Sequence, residues 1–106
     1  MTDKEHELRM NLRNEDSAIA VASAVSLAKD HLIPSGRHLE AESVLLDTLG
    51  IQGINSGFII QLTLGEVYTG MKEFARARRF LNWAGESSKE EIRREAERLL
   101  QEISEE

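Results

Sequence analysis

The feature that most restricts the fold of this chain is a set of packing residues that recurs about every 36 positions. Its best copy is the stretch 64–84, LGEVYTGMKEFARARRFLNWA, in which small and large residues follow at helical intervals: Leu64, Gly65, Tyr68, Ala77, Leu81 and Ala84. The residues Leu64, Gly65 and Tyr68 have copies 37 residues earlier, at Leu27, Ala28 and His31, and 35 residues later, at Leu99, Leu100 and Ile103. The residues Ala77, Leu81 and Ala84 have a copy 36 residues earlier, at Ala41, Leu45 and Thr48. The one-residue difference between 37 and 36 is predicted to fall at the turn that contains Pro34. A small residue beside a Leu lets a second helix approach, and the resulting pair must cover its remaining apolar face by stacking.

Breaks in the apolar periodicity divide the chain into five predicted helices joined by short turns. The breaks are Pro34-Ser35-Gly36, the Gly-rich segment 50–57, Gly70 and Gly85, and the caps are Asp16 or Ser17, Asn55 or Ser56, and Ser87 or Ser88. No stretch shows strand alternation of useful length, so the sequence predicts an all-α fold. The predicted helical domain covers residues 16–106, with helix pairs at 17–49 and 57–84 and a capping helix at 88–104. Residues 1–15 are predicted to be a flexible or partly helical segment.

Composition excludes several functions. The 106 residues include 13 basic and 19 acidic side chains, for a net charge of −6, which argues against general attraction to nucleic acid or anionic membrane. There is no Cys, so disulfides, thiolate catalysis and Cys-ligated zinc are excluded. The longest mostly apolar run, 17–28, is too short to span a bilayer, and the first residues lack the apolar core of a signal peptide. With no phosphate-binding loop or activated nucleophile, we expect a cytoplasmic, non-enzymatic protein without cofactor or metal.

The recurring residues resemble the tetratricopeptide repeat, a helix–turn–helix unit of about 34 residues whose signature has Leu-Gly, then Tyr, then Ala, an aromatic or Leu, and Ala. The resemblance covers about residues 18–104 and implies an α-solenoid of two helix pairs plus a capping helix. It departs from the family in lacking the Pro after the second helix. The position that is often Trp in the family holds Ala24, Gln61 and Ala96.

In this family the concave surface comes mainly from the first helix of each pair. The resemblance therefore implies a groove presenting nine residues: Ala22, Val25, Lys29, Ile59, Leu62, Thr63, Glu66, Arg94 and Arg98. Ile59 and Leu62 are apolar on a face that stacking does not need, which favours binding of an apolar or amphipathic protein segment. The charged members would set its orientation. The resulting hypothesis is an adaptor or chaperone-like interaction module. The groove side chains can alternatively meet the N-terminal segment or a second copy of the chain, in a self-associating homodimer.

Three further features leave alternatives open. Trp83 is either an interface anchor or a cover for the Gly85 turn and the base of the last helix. As an interface anchor it offers a second route to a homodimer. The run Arg76, Arg78, Arg79 can grip an acidic partner, but pairing with Glu side chains on adjacent turns is favoured. His31 and His38 can approach as metal ligands, but they take the places of Tyr68 and Phe74, so packing is favoured.

Overall fold

A computed structural model describes residues 3–53 and 58–104 of the chain, and these residues are helical without strands. The all-α prediction is confirmed, but five helices were predicted and six α-helices are found. They are α1 Asp3–Met10, α2 Ser17–Ser26, α3 His38–Gln52, α4 Ile59–Gly70, α5 Phe74–Ala84 and α6 Glu90–Ser104. A 3-10 helix, Asn11–Arg13, follows α1, and a π-helical segment, Leu27–Leu32, continues α2.

The additional helix is α1, within the segment predicted to be flexible or partly helical. Leu8 of this helix is buried in the core, and Glu5 is only 4% exposed. The Glu5 carboxylate accepts hydrogen bonds from both terminal nitrogens of Arg37, at 3.1 and 3.2 Å. Arg9 and Arg37 both also bind Glu40. Two of these contacts, Arg37 with Glu5 and Arg9 with Glu40, join residues about thirty positions apart, so local sequence patterns did not show that the helix docks on the rest of the fold.

The one-residue difference between the sequence spacings of 37 and 36 lies in the π segment and not in the Pro34 turn. The N–H of Ile33 donates to the carbonyl of Ala28, five residues back, at 2.8 Å. A π-helical segment contains one more residue per turn than an α-helix. The extra residue is therefore absorbed inside the helix, before the turn begins.

The turns that follow the π segment and α4 have the same backbone pattern. The N–H of Arg37 donates to the Leu32 carbonyl at 2.8 Å, and the N–H of Glu73 donates to the Tyr68 carbonyl at 2.9 Å. Gly36 and Lys72 occupy the same left-handed position, with φ of 76° and 60°. Equivalent turn residues are thus 36 apart, and Leu32 takes the place of Tyr68 where the sequence analysis put His31.

Most of the recurring residues are packing residues. Helix α4 is central and packs against α2, α3, α5 and α6. A Cβ on Gly65 would lie 2.6 Å from Leu81 Cγ, which explains the Gly at that position. His31 and Leu100 are half-buried, and the other recurring residues are buried: Leu27, Ala28, Ala41, Leu45, Thr48, Leu64, Gly65, Tyr68, Ala77, Leu81, Ala84, Leu99 and Ile103.

Several helix ends differ from the prediction. Helix α3 passes through Gly50 and ends at Gln52, before Gly53 with φ of 73°. Asp16 caps α2, since its Oδ1 accepts from the Ala18 N–H at 2.9 Å. The predicted caps Asn55 and Ser56 lie outside the described residues. Among the described helices, none combines the length and apolar character needed to cross a bilayer.

Candidate binding groove

A groove of about 840 Å³ lies between α2, α4 and the beginning of α6. Four of the nine predicted binding residues line it together: Ala22, Val25, Ile59 and Leu62. The remaining lining residues are Ser17, Ala18, Val21, Ser26, Lys89, Glu91 and Ile92. The spacing of the apolar residues along two separate helices thus brings them to one continuous, mostly apolar surface.

The two main walls of the groove differ in side-chain size. The α2 wall presents small residues one turn apart, among them Ala18, Ala22 and Ser26. The α4 wall presents the larger Ile59 and Leu62; Ile59 is half-buried and Leu62 is 4% exposed. The small wall leaves the space that the groove occupies. On the α4 wall, the half-buried Ile59 retains accessible apolar surface, whereas Leu62 is almost entirely covered.

Ile92 is a lining residue that sequence reasoning missed. The 35-residue spacing aligned Arg94 of α6 with Ile59 of α4, but Ile92 is the α6 residue beside this groove. Farther along, Arg98 lies near Glu66, a spacing of 32. The α6 residues on this side thus come two or three positions earlier than the predicted spacing of 35 placed them. Its apolar stripe, in which Ile92 is the first member, was the available signal.

The predicted residues Lys29, Thr63 and Glu66 do not line the groove. They follow its lining residues along the π segment and α4, and together with the groove they are called the inner face. Lys29 Nζ is 3.9 Å from Glu66 Oε1, which joins the π segment to α4. The Thr63 hydroxyl is buried and donates to the carbonyl of Ile59 at 2.8 Å. Thr63 is thus engaged within its own helix, while the two charged groups remain partly accessible.

Burial raises the pKa of Glu66 above its ordinary value. Lys29 and Arg98 act in the opposite direction, whereas the nearby Glu95 carboxylate adds to the increase in the pKa. Because an elevated pKa means that the neutral form is favoured, the charge of Glu66 is incompletely compensated by its surroundings.

The two predicted arginines of α6 do not line the groove. Arg94 is exposed and pairs with Glu90 at 2.7 Å. Arg98 donates to Glu102 at 2.6 Å and also binds Glu95. Both side chains are thus held in ion pairs along their own helix, of a kind that contributes little at a surface.

Trp83 belongs to a row of aromatic rings on α4 and α5. The Tyr68 and Phe80 ring centroids are 5.5 Å apart, and those of Phe80 and Trp83 are 5.9 Å apart. Burial, and to a smaller extent a hydrogen bond to Glu42, raises the pKa of Tyr68 to about 12. Trp83 is half-buried, so its ring is partly supported by Phe80 and partly accessible. Its role as an interface anchor or as a cover for the Gly85 turn stays a prediction.

Other predicted contacts are distributed as follows. Arg76 lies 3.8 Å from both Glu42 and Glu73, so one member of the Arg run has carboxylate neighbours. The His38 ring packs over Gly70, where a Cβ would lie 2.6 Å from its Nε2. Within residues 3–53 and 58–104, no three His, Asp or Glu side chains form a cluster suited to a metal ion.

Helix α1 does not fill the groove. All described lining residues belong to α2, to α4, or to α6 and the residue before it, and none belongs to α1. Helix α1 packs instead on α2 and the π segment. Among the described residues, α1 thus leaves the groove uncovered.

No protein-family model, curated protein or solved structure matches this chain.

Proposed function

We propose that this chain is a non-catalytic interaction module built from tetratricopeptide-like helix pairs. It binds a short apolar or amphipathic segment of a partner protein in the groove between α2, α4 and α6. The observation that carries the proposal is the convergence of Ala22, Val25, Ile59 and Leu62 on one open surface. The two equivalent turns, 36 residues apart, support the repeat arrangement.

Burial of partner side chains supplies the binding free energy in this proposal. Apolar surface contributes about 25 cal/mol for each Å² removed from water, before the costs of association. The groove offers such surface without requiring α1 to move. An adaptor or a chaperone-like protein would use it in the same way, by holding a segment that is apolar on one side.

Capture from an extract of the native cells tests the proposal. Ala22→Arg places a long charged side chain on an exposed groove position, and Ala75→Arg makes the same change at an exposed position of α5 outside the groove. We expect a captured protein to be lost with Ala22→Arg and retained with Ala75→Arg. Leu62→Glu is less suitable because Leu62 is 4% exposed and contributes to the core. Equal capture by both Arg variants would contradict the proposal.

The alternative function, a homodimer through the groove or the Trp83 face, is tested with the same proteins. Sedimentation equilibrium of the wild type gives a monomer if the groove serves a different partner. A dimer that dissociates in Ala22→Arg but not in Ala75→Arg would instead identify a second copy as the occupant.

A further inference from the structure

The inner face carries a largely covered carboxylate that has no hydrogen-bond donor among the described residues. Glu66 lies one helical turn after Leu62 on α4, so the two side chains lie on the same side of the helix. Its side chain is 22% exposed. The closest cation, Lys29 Nζ, is 3.9 Å away, beyond the range of a hydrogen bond. In the described part of the chain, no other group donates to Glu66.

The surrounding cations are unable to satisfy this carboxylate fully. Arg98 is already bound by Glu95 and Glu102. Lys29 is 45% exposed, so its ammonium group is well hydrated where it stands. An ionised carboxylate accepts several hydrogen bonds, and the exposed fraction of the Glu66 side chain leaves part of it accessible to water. A partner covering the inner face would remove that water, at a substantial cost in free energy unless it brings a donor.

The charges at the two ends of the inner face differ. At the beginning of α6, the groove lining carries one cation and one carboxylate, Lys89 and Glu91. At the other end, the ion pairs among the described residues join three carboxylates, Glu66, Glu95 and Glu102, to two cations, Lys29 and Arg98. This end therefore has an excess negative charge, as does the whole chain with its net charge of −6.

We propose that the segment bound in the groove is basic, with a Lys or Arg side chain that binds Glu66 about one helical turn from an apolar side chain buried on Ile59 and Leu62. This inference rests on the proposed function of the groove. The partner's cation displaces or supplements Lys29 and supplies the missing donors. The elevated pKa of Glu66 agrees with a carboxylate that lacks sufficient positive neighbours.

Three small probes with the same alkyl chain test the inference: octylammonium, octanol and octanoate, each titrated while the protein's NMR spectrum is recorded. We expect octylammonium to bind about three- to tenfold more tightly than octanol, and octanoate most weakly, as a partly covered charge pair permits. Glu66→Gln removes the preference for octylammonium, while Glu97→Gln, at an exposed position of the same protein, leaves it unchanged. Lys29→Gln increases the preference, because it removes the competing cation.

The pH dependence supplies a second readout. Octylammonium affinity should fall as the pH decreases through the pKa of Glu66. The charged groups that act on Glu66 are Lys29, Glu95 and Arg98. Arg98 lowers the pKa of Glu95, so Glu95 becomes protonated at a lower pH than Glu66. The loss of octylammonium affinity on acidification should therefore disappear in Glu66→Gln.

Equal binding of octanol and octylammonium, a preference that survives in Glu66→Gln, or affinity that rises on acidification would each overturn the inference. Absence of octylammonium binding would also overturn it. If partner capture is nevertheless lost in Ala22→Arg, the groove proposal stands without a basic partner. If capture is insensitive to Ala22→Arg, the groove proposal itself fails.

Discussion

Gln61 is the residue whose surroundings agree least with its chemistry. Its side chain is completely buried in α4, and among the described residues neither its amide nitrogen nor its amide oxygen has a hydrogen-bond partner. A buried polar group without a partner costs about 1–3 kcal/mol. In the sequence, Gln61 is a polar residue within an apolar run, at the position where the resembled family often has Trp. The sequence does not show that its side chain is buried without a partner.

Replacing this amide with an apolar group of similar shape should stabilise the fold. We expect Gln61→Met to raise the free energy of unfolding by about 1–2 kcal/mol, measured by urea denaturation. Gln101→Met, at an exposed position of α6, should change it little. A loss of stability in Gln61→Met would contradict this account and indicate that the amide does have partners, such as buried water.

The left-handed positions of the two equivalent turns provide a matched pair of substitutions. Gly36 has φ of 76° and Lys72 has φ of 60°, a conformation that costs a residue with a Cβ about 1 kcal/mol relative to Gly. We expect Lys72→Gly to stabilise and Gly36→Lys to destabilise the protein, each by about 1 kcal/mol in thermal or urea denaturation. Changes of the same sign in both variants would show that the two turns are not equivalent.

At the scale of the helices, the sequence predicted the packing residues better than the boundaries and the register. Leu64, Gly65 and Leu81 were identified because small-to-large spacing is a local property of the helices. The π segment was missed because a one-residue insertion is visible in the sequence only as a change of spacing, which does not say where the helix absorbs it. The shift in the register of α6 was missed because its stripe fits more than one register.

Helix α1 depends on charge, and its docking should therefore depend on pH. The hydrogen bonds from Arg37, and then those from Arg9, hold the pKa of Glu5 below its ordinary value. A carboxyl group with a lowered pKa in the folded state stabilises that state above its unfolded pKa, and this contribution is lost as the pH falls through the folded pKa. We therefore expect α1 to detach on acidification below about pH 4, the ordinary range of a Glu carboxyl.

Hydrogen exchange of the α1 amides measures this detachment. In the wild type, their protection should fall at acidic pH before that of α4. In Glu5→Gln it should already be weak at neutral pH and should change less with acidification. Protection of α1 that is unaffected by both changes would show that Leu8 and the apolar contacts alone hold the helix.

At the scale of the whole molecule, the residues of the groove were more predictable than its shape. Ala22, Val25, Ile59 and Leu62 were named from the register that the family resemblance implied, and they line one surface. The resemblance did not assign Ile92 to that surface, nor did it indicate that Glu66 lacks a donor. Both depend on how α6 and the π segment pack against α4, which is a long-range property of the fold.

The central claim is that this inner groove, and not another face of the protein, holds the partner. The most direct measurement is photo-crosslinking in the native cells, with p-benzoylphenylalanine incorporated in place of Ala22 or, as the control, of Ala75. The account predicts a specific cross-linked protein from position 22 and none from position 75. Cross-linking of the same protein from position 75, with none from position 22, would contradict it.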